Sequence, residues 1–311
     1  ERWSARHRLR FNSRALAIAL MLVVDIILTG LIIGGMYALI ALGLTLQYGV
    51  ARIVNLAYGE FFVAAALGAF WLYTGVSVSP LIGLVLVLPV AFGINWAIYQ
   101  GLLAPLVRRA KNQGMLEVDS ILATFGLLFV IQGVALASFG GQYFSYSYLS
   151  IPVSVMGSAL AVNRLIALGF AAGIGITLYL ALTRTRLGTA VRAVAVDPVA
   201  AQLVAIDVRR ASAFAFALGG ALVAAGGVLG GMFLTLNAAM GVVFTTKALI
   251  VVIMGGVGNL LGALVAGLLL GVAETSVARL VDPGLTLAVN YALFLAVLLW
   301  RPTGLFGSAA R

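Results

Sequence analysis

The stretch Ile53–Phe62 reads IVNLAYGEFF and sets Asn55, Tyr58, Gly59 and Glu60 between two long apolar runs, GLIIGGMYALIALGLTLQYGV before it and VAAALGAFWLYTGV after it. An ionisable group between bilayer-length runs is costly unless it marks a helix break or a solute path. Two roles for Glu60 follow. In the structural one, Asn55 caps a turn and Glu60 occupies the first turn of a helix over Phe61–Thr74, where a carboxylate favours the positive helix end by about 0.3–1 kcal/mol. In the functional one, Glu60 faces a translocation path or pins two half-helices. Both readings interrupt a helix, and both place the interruption near a membrane boundary.

Composition sets the class. Of 311 residues, 63% are hydrophobic and 9% charged, whereas a soluble domain carries about 25% charged residues. One water-soluble core cannot hide that much apolar surface, so the chain is an integral membrane protein. The apolar runs are Ala15–Leu46, Phe61–Thr74, Leu81–Leu103, Ile121–Ser138, Leu165–Leu182, Ala211–Leu236, Val242–Met254, Leu260–Val277 and Leu285–Trp300. Their lengths, near 20 residues rather than short alternating strands, predict an all-α polytopic protein with about eight crossings plus broken or re-entrant segments. The first run is too long for one upright span and either tilts or breaks near Thr29-Gly30 or Gly34-Gly35. Val242–Met254 is too short to cross comfortably and precedes GGVGN, which suits a re-entrant helix.

The net charge of +10 sits in short segments between runs, the pattern of cytoplasmic loops rather than of a nucleic-acid-binding face. Residues 1–14 form an Arg-rich leader, and residues 15–311 read as one transmembrane domain. The leader, Arg108-Arg109-Ala110-Lys111, the interval 184–210 and the C-terminal Arg301 and Arg311 are all expected in the cytoplasm. That assignment needs an even number of crossings between the leader and Arg108, and a simple count gives three. Either the first run crosses twice or IVNLAYGEFF contains a half-crossing. There is no cysteine, and the single histidine, His7, lies in the leader. Thiol chemistry and a His-metal centre are therefore excluded, and no metal site is expected.

The interval RTRLGTAVRAVAVDPVAAQLVAIDVRR carries a helix-start signal, Asp197 as cap and Pro198 in the first turn. The helix that follows is apolar, with Val199, Leu203 and Ile206 on one face and Arg192 and Arg209 flanking it. It either lies on lipid headgroups or docks into a groove of a cytoplasmic partner.

Three segments together carry a resemblance: N-x-A-x-G-E (Asn55–Glu60), R-A-x-A-x-D-P-x-A-A (Arg192–Ala201) and G-G-x-G-N-x-x-G-A (Gly255–Ala263). In this order the chain, from about Leu28 onward, resembles the branched-chain amino-acid ABC transporter permease family, most closely its H-type branch in the Liv system. Tyr58 departs from the histidine often found there, which argues against a proton-linked role for the position.

The resemblance implies a permease subunit paired with a paralogous permease (a homodimer being the alternative), two cytoplasmic ATPases that hold ATP and Mg²⁺, and a periplasmic binding protein. It implies no cofactor on this chain. Neither lysine, Lys111 nor Lys247, lies in a G-x-x-x-x-G-K-[ST] phosphate loop, so ATP must be hydrolysed elsewhere. Expected solutes are branched-chain or other hydrophobic amino acids. Urea, short amides and aromatic or carboxylic acids are alternatives, and a stand-alone secondary transporter is the alternative of another class.

Candidate path residues are Tyr37, Asn55, Tyr58, Glu60, Thr245, Thr246, Lys247 and Asn259. Glu274 is expected to pair with a group on another helix, since Arg279 is poorly spaced for it. Gly219, Gly227, Gly231, Gly255, Gly258 and Gly262 are read as close-packing positions, with the second permease as a candidate contact.

Overall fold

The computed structural model describes residues 2–155 and 158–307, with side-chain surroundings from residue 20. Arg311 and the side chains of the leader lie outside that range. The helices are α1 (Arg2–Ala51), α2 (Tyr58–Val76), α3 (Pro80–Ile98), α4 (Ala104–Arg109), α5 (Gln113–Phe139), α6 (Val162–Arg184), α7 (Arg186–Val196), α8 (Pro198–Leu203), α9 (Val208–Gly231), α10 (Gly241–Gly255), α11 (Leu260–Leu280) and α12 (Thr286–Trp300). A π-helical turn, Tyr99–Leu103, joins α3 to α4. Strands β1 (Pro152–Val155) and β2 (Ser158–Ala161) form an antiparallel hairpin. Among the described residues, eight helices are long and apolar enough to cross a membrane, and α10 is shorter. This is a multi-pass membrane protein.

Polar residues at the joints explain where helices begin. Ser79 caps α3 just before Pro80, Asn112 caps α5 and Thr185 caps α7. Asp207 caps α9 and Asn259 caps α11. Each side-chain oxygen takes an N–H of the first turn that has no partner within the helix.

Helices α1, α2, α9, α10 and α11 make the core, and small residues let them approach. Gly30 and Gly34 of α1 lie against Val272 and Leu268 of α11, while Gly267 and Gly271 lie against Ala38 and Gly34. A side chain at any of these positions would strike backbone. Gly34 is therefore a contact surface and not a break, and α1 runs unbroken to Ala51. The long first run is one helix because its glycines are covered by a neighbour rather than exposed.

These contacts also fix direction. Residue 30 meets residue 272 and residue 38 meets residue 267, so α1 and α11 are antiparallel. At the far end Arg279 pairs with Asp25 at 3.1 Å. At the other end Asn259 donates to the Phe306 carbonyl at 3.0 Å, and Leu305 and Phe306 bond the end of α10. With 21 residues, α11 is about 31 Å long at 1.5 Å per residue. The described ends of the chain consequently lie on opposite faces, and the expectation that both ends share one side is corrected.

The face bearing Arg301 also carries α7, α8 and the π turn after α3, where Arg209 donates to Gln100 at 2.7 Å. We call it the basic face. The parity conflict dissolves once the leader is separated from it: α1, α2 and α3 are three passes, and α1 enters from the opposite face.

Candidate translocation and coupling sites

Loop residues 52–57 do not stay at the basic face. Arg52 turns the chain with φ of 56°, and the loop climbs back until Tyr58 lies beside Gly43 and Gly219. Gly219 is halfway along α9. The α2 helix thus starts at mid-depth, at Tyr58 rather than Phe61, with Ala57 as its cap residue. Glu60 lies at mid-depth too and is 1% exposed. Its expected place near a membrane boundary is corrected, because the loop re-enters instead of ending there.

An uncharged network holds this loop. Asn55 accepts from Ala57 N at 3.1 Å and donates to Gln47 Oε1 at 3.0 Å, while Gln47 donates to the Phe216 carbonyl at 2.9 Å. The Tyr58 hydroxyl donates to Ile40 O at 2.8 Å and also faces Gly219 O at 3.2 Å. Thr245 accepts from Gly59 N at 2.8 Å, and Thr124 accepts from Leu56 N at 3.1 Å. Irregular backbone at membrane depth survives only when covered in this way.

Glu60 lies over Gly241, the first residue of α10, where any added side chain would strike its carboxyl. Two helix N-termini, those of α2 and α10, therefore meet around one carboxylate. Their partial positive charges are complementary to it.

A second, charged cluster lies nearly two turns along α10 from Gly241. Lys247 Nζ donates to Glu274 Oε1 at 2.7 Å and to the Tyr37 hydroxyl at 2.5 Å. It also sits 4.6 Å from the centre of the Tyr37 ring, a cation–π distance. Asn290 of α12 approaches Glu274 Oε2 at 3.4 Å.

The predicted path residues therefore divide. Tyr37, Asn55, Tyr58, Glu60 and Thr245 are buried and serve the packing of this conformation. Asn259 is an N-cap at the basic face. Thr246 and Lys247 line a cavity between α10 and α12.

A wide cleft of about 1150 Å³ lies elsewhere, among α3, α6, α7 and α9. Its walls, such as Leu88, Phe92, Phe170 and Phe214, carry no charge and suit lipid or another helix rather than a polar solute.

At the basic face α7 buries Val191 and Val194, and α8 projects. Asp197 Oδ1 accepts from Val199 N and Ala200 N at 2.8 and 3.0 Å. Val199 is 68% and Leu203 84% exposed. Ile206 is not on that face: α8 stops at Leu203, Ala205 adopts φ of 62°, and Ile206 packs against the core. Arg192 is exposed, whereas Arg209 is tied to Gln100.

Sequence reasoning passed over Arg52, which donates to Ala195 O at 3.0 Å and so joins the re-entrant loop to the end of α7. Its signal was a lone cation directly before IVNLAYGEFF.

The packing glycines are occupied within the chain. Gly219 meets Gly43 and Gln47, Gly227 meets Phe62, Gly231 meets Ala66, and Gly255 meets Gly262. Gly258 needs its φ of 81° for the turn into α11. The first five offer no free face to a second permease, which corrects that expectation.

The family model described as "Branched-chain amino acid transport system / permease component" matches residues 26–298. The chain belongs to that family. The permease is 29% identical to the high-affinity branched-chain amino acid transport system permease protein LivH of Salmonella typhimurium, over 89% of this chain and 93% of that one. It is 29% identical to BraD of Pseudomonas aeruginosa, a permease protein of the same description, over 90% and 94%. The probable LivH of Methanocaldococcus jannaschii is 27% identical over 90% and 92%. Among solved structures, PsaBC from Streptococcus pneumoniae in complex with Fab aligns over 91% of this chain and 92% of that one, with 13% identity and a TM-score of 0.49.

Proposed function

We propose that this permease is a membrane subunit of an ATP-binding-cassette importer, forming part of the path for branched-chain or closely related hydrophobic amino acids. The observation that carries the reading is α8, whose apolar Val199 and Leu203 stand in water beside the exposed Arg192. An apolar knob held rigid by an Asp-Pro start suits a groove on another protein. With no phosphate loop in the sequence, the motor is a separate pair of ATPase chains that hold ATP and Mg²⁺. A periplasmic binding protein supplies the solute, and a second permease, a paralogue or another copy, completes the path.

The basic face is then cytoplasmic, in agreement with its concentration of Arg and Lys, and the membrane is the bacterial inner one. Closure of the ATPases on ATP pushes α8 and α7, and the Arg52–Ala195 bond hands that motion to the re-entrant loop. The test is Leu203→Asp in the reconstituted complex. The variant is expected to insert and fold normally, because Leu203 is outside the core, and to lose solute-stimulated ATP hydrolysis and uptake. Normal uptake with the ATPases still bound would falsify the docking role of α8.

A further inference from the structure

Glycines on α1, α9 and α11 are covered by neighbouring helices, but Gly169 and Gly173 of α6 are not: a Cβ added at either would meet nothing within 4 Å. Both line the cleft of about 1150 Å³ among α3, α6, α7 and α9, whose lining contains no ionisable side chain. In a bilayer such a groove is filled by an acyl chain or by another helix. Its course bears on which. Helix α9 starts at the basic face and contributes Phe214, Leu218 and Leu222, all within its first two-thirds. Helix α6 contributes as far as Thr185, where the chain turns into α7. The groove therefore runs from mid-depth to the basic surface.

Two cations stand where it ends. Arg184 closes α6 and Arg186 opens α7, on either side of the cleft-lining Thr185. Both are exposed, and neither has a carboxylate partner among the described residues. The turn that carries them is fixed. Thr185 caps α7, and a side chain at Gly188 would strike the backbone of Ala181 and Leu182.

We propose that this cleft binds an anionic phospholipid, its acyl chains in the groove and its phosphate accepting from Arg184 and Arg186. An apolar trough with an unpaired cationic rim is complementary to one amphiphile, a molecule with a hydrocarbon tail and a negative head. Guanidinium groups match a phosphate in geometry as well as in charge. A zwitterionic lipid would fill the same trough but bring an ammonium group to two cations. The site is separate from the Lys247 cluster and does not depend on which solute the permease carries.

The test uses Trp96, which stacks on the cleft-lining Phe92 with ring centres 6.1 Å apart. Trp3, Trp71 and Trp300 are replaced by Phe, leaving Trp96 as the single tryptophan. The permease is reconstituted in phosphatidylcholine, and phosphatidylglycerol with brominated acyl chains, a fluorescence quencher, is added stepwise. Two cations favour an anionic lipid roughly twentyfold, so half of the quenching is expected at a mole fraction of about 0.05. In the mirror series, brominated phosphatidylcholine in phosphatidylglycerol should quench only when it predominates. Arg184→Gln/Arg186→Gln should abolish most of the preference. Arg108→Gln/Arg109→Gln removes the same charge from two exposed positions on the same face and should change it less than twofold. Gly173→Leu, which meets nothing in the protein, fills the trough and should remove the low-concentration quenching.

Quenching in proportion to either lipid, an equal loss of preference in the Arg108/Arg109 pair, or unchanged low-concentration quenching in Gly173→Leu would each overturn the site. So would a Trp96 that neither brominated lipid quenches, which would show that a protein segment such as a helix of a second permease covers the cleft.

Discussion

Thr245 and Lys247 are two residues apart on α10 and belong to clusters of opposite design. The Thr245 cluster, with Gln47, Asn55, Tyr58 and Thr124, is uncharged, sealed from solvent and anchored largely on main-chain groups. The Lys247 cluster is charged, is bonded side chain to side chain, and borders a cavity. The difference separates two needs of a transport protein. A loop that re-enters the membrane must satisfy its own peptide groups, and short polar side chains do this without the desolvation cost of a full charge. A charge at that depth needs a counter-charge instead, and Glu274 supplies it to Lys247.

Breaking the charged cluster is expected to have the largest effect. Lys247→Met leaves Glu274 buried without a counter-charge and should destabilise the protein by about 3–5 kcal/mol. The double variant Lys247→Met/Glu274→Gln should recover most of that loss. Denaturant unfolding in detergent micelles measures both, and a single variant as stable as the double would show that the pair is not desolvated.

Asn55→Leu in the uncharged cluster strands Gln47 Oε1 and Ala57 N together and should cost about 2 kcal/mol. No compensating charge removal should rescue it, and rescue by Lys247→Met would merge the two clusters into one. Tyr58→Phe removes a donor but leaves carbonyls that belong to helices, so about 1 kcal/mol is expected by the same measurement. The smallest effect should come from Asp25→Asn. The Asp25–Arg279 pair is partly solvated, with Arg279 half exposed, and such pairs contribute about 0.2–1 kcal/mol. A loss as large as that of Lys247→Met would mean that this end of α1 is far drier than its exposure indicates.

Much of this architecture was legible in the residues. The apolar runs locate the spans and the Asp197-Pro198 signal locates α8, whereas the odd crossing count came from setting the leader on the basic face. What could not be read was depth. IVNLAYGEFF reads the same at a boundary or at mid-membrane, because only tertiary contacts with Gly43 and Gly219 set its height. The glycines of α1 and α9 signal close packing but not the partner, and the partner turned out to lie within the chain. Glu274 needed a partner on another helix, and pairing it with Lys247, 27 residues earlier, required the antiparallel course of α10 and α11. The hairpin Pro152–Ala161 and the π turn at Tyr99 left no periodic signal, since both depend on what they pack against.

The opposite placement of the chain's two described ends bears on how α11 can move. Asp25 and Leu305 are separated by the full length of α11. A pull on α11 along its axis is therefore resisted at both ends by α1 and by the segment after α12, so α11 moves with its neighbours as one strut and not as a sliding rod.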